Sequence, residues 1–244
     1  MTSRPLLERQ VSLIARLTSG ATIFGDGGDA PDPGLNGIDR AALHLEARLS
    51  HDKRMENIAA IFPRTFAILK RSRNPIVRAF ADTCPPAGSG RMENARQFRD
   101  FLFSRTADAL EPAHLQDLAA FEFACATARI RSGVPILPSE KAGTRSPGWF
   151  RRGPDVVLLR CEYDLRTVFE DGSDGSAPAQ RATELAIRFP QGAASPQIFE
   201  MPPMAFDVLA RMDDWTDAAS LGDTPELMDL LGNLVQHGLI ESPS

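Results

Sequence analysis

The feature that most restricts the fold is a change of hydrophobic period part-way along the chain. From Arg4 to Arg131 apolar residues recur mostly at intervals of three and four, the spacing that gathers them on one side of a helix. After Pro154 they come instead in short runs bounded by turn residues, as strands do. Between Ser132 and Pro154 neither pattern holds. Pro135, Pro138, Gly143, Pro147, Gly148 and Gly153 crowd that stretch, where lost donors and backbone entropy oppose regular structure. The order predicts an α+β chain: an all-helical domain over 1–133, a linker over 134–153 and a second domain over 154–244.

In the first part, Leu6, Leu7, Val11, Ile14 and Leu17 trace an amphipathic helix, and a Gly, Asp and Pro loop runs from Gly25 to Gly37. Helical spacing resumes from about Ile38 toward Ile61, with Leu43, Leu49, Met55, Ile58 and Ala59 on its expected buried side. Pro63 interrupts it, Thr65 to Lys70 adds a turn or two, and Asn74-Pro75 opens a helix over Ile76 to Ala81. Past the turn Cys84-Pro85-Pro86, a helix carries Phe98, Phe101, Leu102 and Phe103. A last one after Pro112 carries Leu115, Leu118, Phe121, Phe123, Cys125 and Ala126. A bundle of five or six helices is expected.

In the second part, Val156 to Leu159, Leu185 to Phe189 and Gln197 to Met201 read as strands. Helices follow over Met204 to Met212, Asp217 to Leu221 and from Thr224 onward. The last has Thr as cap, Pro at its first position, Glu226 near its positive end and Gly238 as its stop. Three strands and then three helices is the order of a small winged-helix-like module.

Charge narrows the choice of partners. Acids outnumber bases by 32 to 27. Residues 1–133 carry 18 bases and 15 acids, a balance of +3, while the remainder carries 9 and 17, a balance of −8. An acidic second half repels a phosphate backbone unless a positive face is concentrated elsewhere. The bases are 24 Arg against 3 Lys; arginine's planar fork suits interfaces, and a GC-rich coding sequence accounts for the excess equally well.

Phosphate-loop, dinucleotide, nucleophile-elbow and zinc-finger patterns are missing from the sequence. Gly25 to Asp29 lacks the lysine that a phosphate loop needs. His44 and His51 are seven apart without a metal-binding spacing, so no metal or cofactor of the chain's own is expected, and no catalytic residue. Cys84, Cys125 and Cys161 form no CxxC pair, and no apolar run approaches the twenty residues of a membrane span, which points to a reducing cytoplasm. Cys84 reads as a small packing residue, with a reactive thiol as the other reading.

Two surfaces stand out. Between Asn57 and Ala81, Arg64, Lys70, Arg71, Arg73 and Arg78 occur without an acid, either as a solvated rim or as a docking surface for an acidic partner. In the second half, a small sheet with a free edge beside an amphipathic helix can take an extended peptide as one more strand. Ile198, Phe199, Glu200 and Met201 would supply that edge, and Leu227, Leu230, Leu231 and Leu234 the helix side; mutual packing of strand and helix is the alternative.

The segments Phe62-Pro63-Arg64-Thr65-Phe66-Ala67-Ile68-Leu69, Cys84-Pro85-Pro86, Phe98-Arg99-Asp100-Phe101-Leu102 and Leu115-Gln116-Asp117-Leu118-Ala119-Ala120-Phe121-Glu122 occur in an order that resembles the HvfC family. Val156 to Asp164 resembles the start of that family's second domain. The resemblance implies a partner protein of multinuclear non-haem iron enzymes of TIM-barrel type, which modify ribosomally made peptides, commonly at cysteine. It implies an accessory subunit that holds the precursor's leader through a winged-helix recognition element, with iron in the partner enzyme. The branch it favours is 3-thiaglutamate formation, in which a β-carbon is excised from a C-terminal cysteine. A DNA-binding label attached to the family keeps a winged-helix transcription regulator as the alternative.

Overall fold

The computed structural model describes residues 6–25, 35–69, 73–86, 88, 90–105, 111–133, 148–169 and 177–243. The chain is α+β, with helices first and then a mixed region containing two small antiparallel sheets. It divides into two compact units, 1–119 and 120–244. The division falls inside a helix, ahead of the boundary predicted at 133.

The first unit contains α1 (Leu6–Leu17), α2 (Gly20–Phe24), α3 (Arg40–Ala59), α4 (Pro63–Leu69), α5 (Arg73–Thr83), α6 (Arg91–Phe103) and the first turn of α7 (Leu115–Ser132). Asp39 caps α3 by accepting a hydrogen bond from the Ala41 N–H at 2.9 Å, one of the donors that a helix start leaves unpaired. Leu43, Met55 and Ile58 are buried along α3 as the spacing predicts, but Leu49 is exposed. On α1, Leu6, Leu7, Val11 and Ile14 are exposed and no residue is buried. The predicted helix forms there, with Leu17 half-buried against Ile23, Ala47 and Ala81 and the rest of its apolar stripe exposed within the described residues.

The aromatic residues of α4, α5 and α6 build the centre of this unit. Phe98 is fully buried among Phe62, Phe66 and Phe80, with ring centroids 5.6, 5.2 and 5.2 Å away and the Phe80 ring edge-on to it. Such geometries add to the gain from area burial. Phe98→Ala is expected to destabilise the unit by about 3–5 kcal/mol, a large fraction of the roughly 5–15 kcal/mol that holds a domain together. Denaturant unfolding followed by far-UV circular dichroism checks it.

In the second unit the three predicted strands appear as β2 (Val157–Cys161), β3 (Thr183–Arg188) and β4 (Gln197–Glu200), an antiparallel sheet ordered β2-β3-β4. A second sheet, not foreseen, has β1 (Trp149–Arg152) between β5 (Thr216–Asp217) and β6 (Ile240–Glu241). Six strands thus occur among the described residues, twice the number predicted. Residues 148–153, assigned to a linker, carry the central strand of this sheet; 134–147 lie outside the described residues. Helices α8 (Arg166–Phe169), α9 (Pro203–Ala210), α10 (Ala218–Leu221) and α11 (Pro225–Gln236) complete the unit.

Sheet β2-β3-β4 is covered on both faces. Leu185 and Ile187 join Phe121, Ala124 and Ala128 of α7, with Cys161 and Leu165, in one cluster. Ala186 faces the other way, into a cluster with Phe206 and Leu209 of α9 and Leu227, Leu231 and Leu234 of α11. The period-2 alternation of β3 thus serves two cores at once.

Helix α11 begins and ends as its sequence dictates. Thr224 Oγ1 accepts from the Leu227 N–H at 3.3 Å. At the other end the Leu239 N–H donates to Leu234 O at 2.8 Å and the Gly238 N–H to Val235 O at 2.9 Å, a Schellman motif. Gly238 has a φ of 65°, the left-handed region that favours glycine, and a Cβ there would lie 2.3 Å from the Arg188 guanidinium and displace it.

Candidate functional site

The edge of β4 is the part of the second unit that fits a ligand-binding role. Antiparallel strands alternate between residues that exchange hydrogen bonds with the neighbour and residues whose backbone groups point away. The Met201 N–H donates to Glu184 O at 2.8 Å, and the register pairs Phe199 with Ala186 and Gln197 with Arg188. Residues 197, 199 and 201 therefore direct their backbone groups to β3, and those of Ile198 and Glu200 point outward. No strand pairs with this edge among the described residues.

The side chains sort differently. Ile198 is half-buried against the α7 cluster, and Phe199 is half-buried against the α9–α11 cluster. The Phe199 ring lies 5.5 Å from His237, which places the C-terminal end of α11 beside β4. Met201, Leu227, Leu231 and Leu234 are buried in the α9–α11 core, and Leu230 packs against it half-buried. Met201, Leu227, Leu231 and Leu234 are withdrawn from the predicted peptide-contacting surface, because the stripe that faces the sheet is spent on the fold. The apolar side chains that α11 leaves exposed are Met228 and Val235, one position along the helix from Leu227 and Leu234.

Glu200 is fixed in place by charge. Its carboxylate accepts from Arg166 at 2.5 Å and from Arg181 at 2.6 Å, and the same two arginines bind Asp164 at 2.9 and 2.5 Å. The closed ring of two carboxylates and two guanidiniums ties the exit of β2 and the approach to β3 to the end of β4. Hydrogen bonds from Arg166 above all, then from Arg181, hold the buried Asp164 carboxyl well below the usual carboxylate range. A carboxyl with a depressed pKa stabilises the fold above its ordinary value of about 3.9 and loses that contribution as pH falls below it. Asp164→Asn is expected to lower the melting temperature at pH 7, with the gap to the wild type narrowing below about pH 4. Thermal melts across this range check it.

A cavity of about 480 Å³ is bounded by Gly153, Asp155, Arg188, Gln191, Gly238 and Glu241 among others. No residue of β4 lines the cavity, and Arg188 comes from the central strand β3. Its guanidinium is held by Asp155 at 3.2 Å and by His237 O at 3.0 Å.

Of the predicted docking residues, Arg64 on α4 and Arg73 and Arg78 on α5 are exposed in the first unit. Arg73 lies over the Phe66 ring at 5.2 Å and Arg78 over Phe24 at 4.9 Å. Lys70 and Arg71 lie outside the described residues. Among the described residues no three His, Cys, Asp or Glu side chains converge as metal ligands, and no helix is long and apolar enough to cross a membrane. Cys125 is half-buried against the α7 cluster, and desolvation pushes its thiol up to about 12, so it is a packing residue.

No family model matches the chain, and no curated protein is significantly similar to it.

Proposed function

We propose that this chain is a non-catalytic accessory subunit that captures the leader of a ribosomally made precursor peptide as an added strand on β4. It presents the core, through a cysteine, to a multinuclear iron-dependent oxidase for 3-thiaglutamate-type β-carbon excision. The observation that carries the binding half is the edge itself: both faces of the sheet are covered, while the outward backbone groups of Ile198 and Glu200 have no strand to pair with among the described residues. Strand addition draws its affinity from main-chain hydrogen bonds. The resemblance to the HvfC family supports the nature of the partner, in which the iron would reside.

Charge supports a peptide over DNA. The second unit carries 11 bases and 18 acids, a balance of −7, which disfavours a polyanion. Holding a leader here would raise the effective concentration of the core at the iron enzyme to about the millimolar range. The test is amide hydrogen exchange with a candidate precursor peptide, together with co-expression of a candidate multinuclear iron enzyme. Protection of the Ile198 and Glu200 amides on adding the peptide, and co-purification with the enzyme, are the expected results. Unchanged exchange at both amides would refute the edge as the binding site, and steeply salt-dependent binding of duplex DNA would replace the peptide reading.

A further inference from the structure

A second site, independent of the sheet edge, lies in the first unit. Arg54 on α3 is 8% exposed. Its Nε donates to Asn94 Oδ1, one terminal nitrogen to Cys84 O and the other to Gln97 Oε1, each at 2.8 Å, and its guanidinium lies 4.5 Å from the centre of the Phe80 ring. All three acceptors are neutral. A guanidinium has five N–H donors, so one on each terminal nitrogen remains without a protein acceptor among the described residues. No carboxylate pairs with it there either; on the same helix, Glu56 is engaged with Lys53 at 3.2 Å. Burial lowers the Arg54 pKa to about 10, which leaves it charged at neutral pH.

Buried charges are normally paired, since an isolated one is costly to desolvate. Arg54 instead lines a cavity of about 420 Å³, a volume in the range of small-molecule sites. His51, one turn earlier and 5% exposed, lines the same cavity, and its Nε2 has no hydrogen-bond partner among the described residues. Asn94 contributes a third buried polar wall, held by Gly88 O and Gly90 O. Leu17, Ile23, Ala81 and Pro86 supply apolar surface on the same cavity.

We propose that this cavity binds a small organic acid, its carboxylate received by Arg54 and His51 and its apolar portion by Leu17, Ile23, Ala81 and Pro86. The charge balance selects a carboxylate over a phosphate: Lys53, which also lines the cavity, is exposed and paired with Glu56, so one buried guanidinium without a counterion matches a single negative charge and a phosphate dianion would be left half-compensated. Desolvation lowers the His51 pKa, so the ring is neutral at pH 7 and can donate one hydrogen bond without adding a second charge.

The test titrates hexanoate, hexanamide and inorganic phosphate into the full chain at pH 7, followed by ¹H–¹⁵N chemical shifts. Hexanoate is expected to shift signals of Arg54, His51 and Asn94, with hexanamide and phosphate each binding at least about tenfold more weakly. His51→Phe keeps a ring beside Phe24 and is expected to weaken hexanoate severalfold while the chain stays folded. Arg54→Gln is expected to abolish the preference for hexanoate over hexanamide; because it can also loosen the Cys84–Pro86 turn, His51→Phe and the ligand series decide the matter if it does not fold. Equal affinity for hexanoate and hexanamide, tighter binding of phosphate, or no shift at these residues would overturn the proposal and leave Arg54 as a clamp on that turn.

Discussion

Ile198→Pro is expected to abolish binding of an extended peptide while the chain stays folded, whereas Phe199→Pro is expected to break the sheet. The difference lies in the direction of two neighbouring amides. Phase and register send the Phe199 N–H to Ala186, so proline there removes a bond within the ladder, next to the core contacts of Ala186. The Ile198 N–H points outward, where proline costs β4 no bond. It removes one donor to the ligand and sets a ring where the incoming strand must lie within about 4.8 Å. One hydrogen bond contributes about 0.5–1.5 kcal/mol, and interrupting the added ladder removes several, so a loss of at least about a hundredfold in affinity is expected. Ile198→Ala is the control: it gives up the packing against the α7 cluster but keeps the amide, and should retain most of the affinity. A folded Ile198→Pro chain with unchanged affinity would sink the proposed edge. Isothermal titration, with circular dichroism to confirm the fold, makes the comparison.

Which amides face outward could not be read from the sequence, because the phase of a strand against its neighbour is a property of the pair. What could be read followed from length and burial. Strands β2, β3 and β4 are apolar runs between turn residues, and the signal for each is local. Strands β1, β5 and β6 have two to four residues, among them Arg151, Arg152, Thr216, Asp217 and Glu241. Their reason to be strands is non-local: Arg151 pairs across the sheet with Glu241 at 2.6 Å, and the Arg152 N–H donates to Met212 O at 2.8 Å. The α11 leucines show the converse limit, since helical spacing identifies an apolar stripe but not whether a core or a ligand lies opposite. The buried Arg54 carries no local signal either; its acceptors Cys84, Asn94 and Gln97 come from 30 to 43 residues further along the chain.

The same non-locality sets the minimum second unit. A fragment spanning residues 148–244 retains every strand of both sheets and omits α7, as a cut at the predicted linker would. It is expected to be unfolded or molten, whereas residues 115–244 are expected to melt cooperatively. The face formed by Leu185, Ile187, Cys161 and Leu165 is covered by Phe121, Ala124 and Ala128, and the Phe121 ring lies 4.4 Å from Phe169. Removing the helix exposes Leu185, Ile187, Cys161 and Leu165 and uncovers the Phe169 ring. Fully burying a large apolar side chain contributes about 1.5–3 kcal/mol, so several such losses exceed what a sheet of this size can spare. Starting instead at residue 154 would also remove β1, the strand to which β5 and β6 are both paired. A cooperative transition in 148–244 at the melting temperature of 115–244 would show that α7 is dispensable and restore the boundary at 133. Loss of the transition in 148–244 alone would place the start of the peptide-binding unit inside α7, where its core begins.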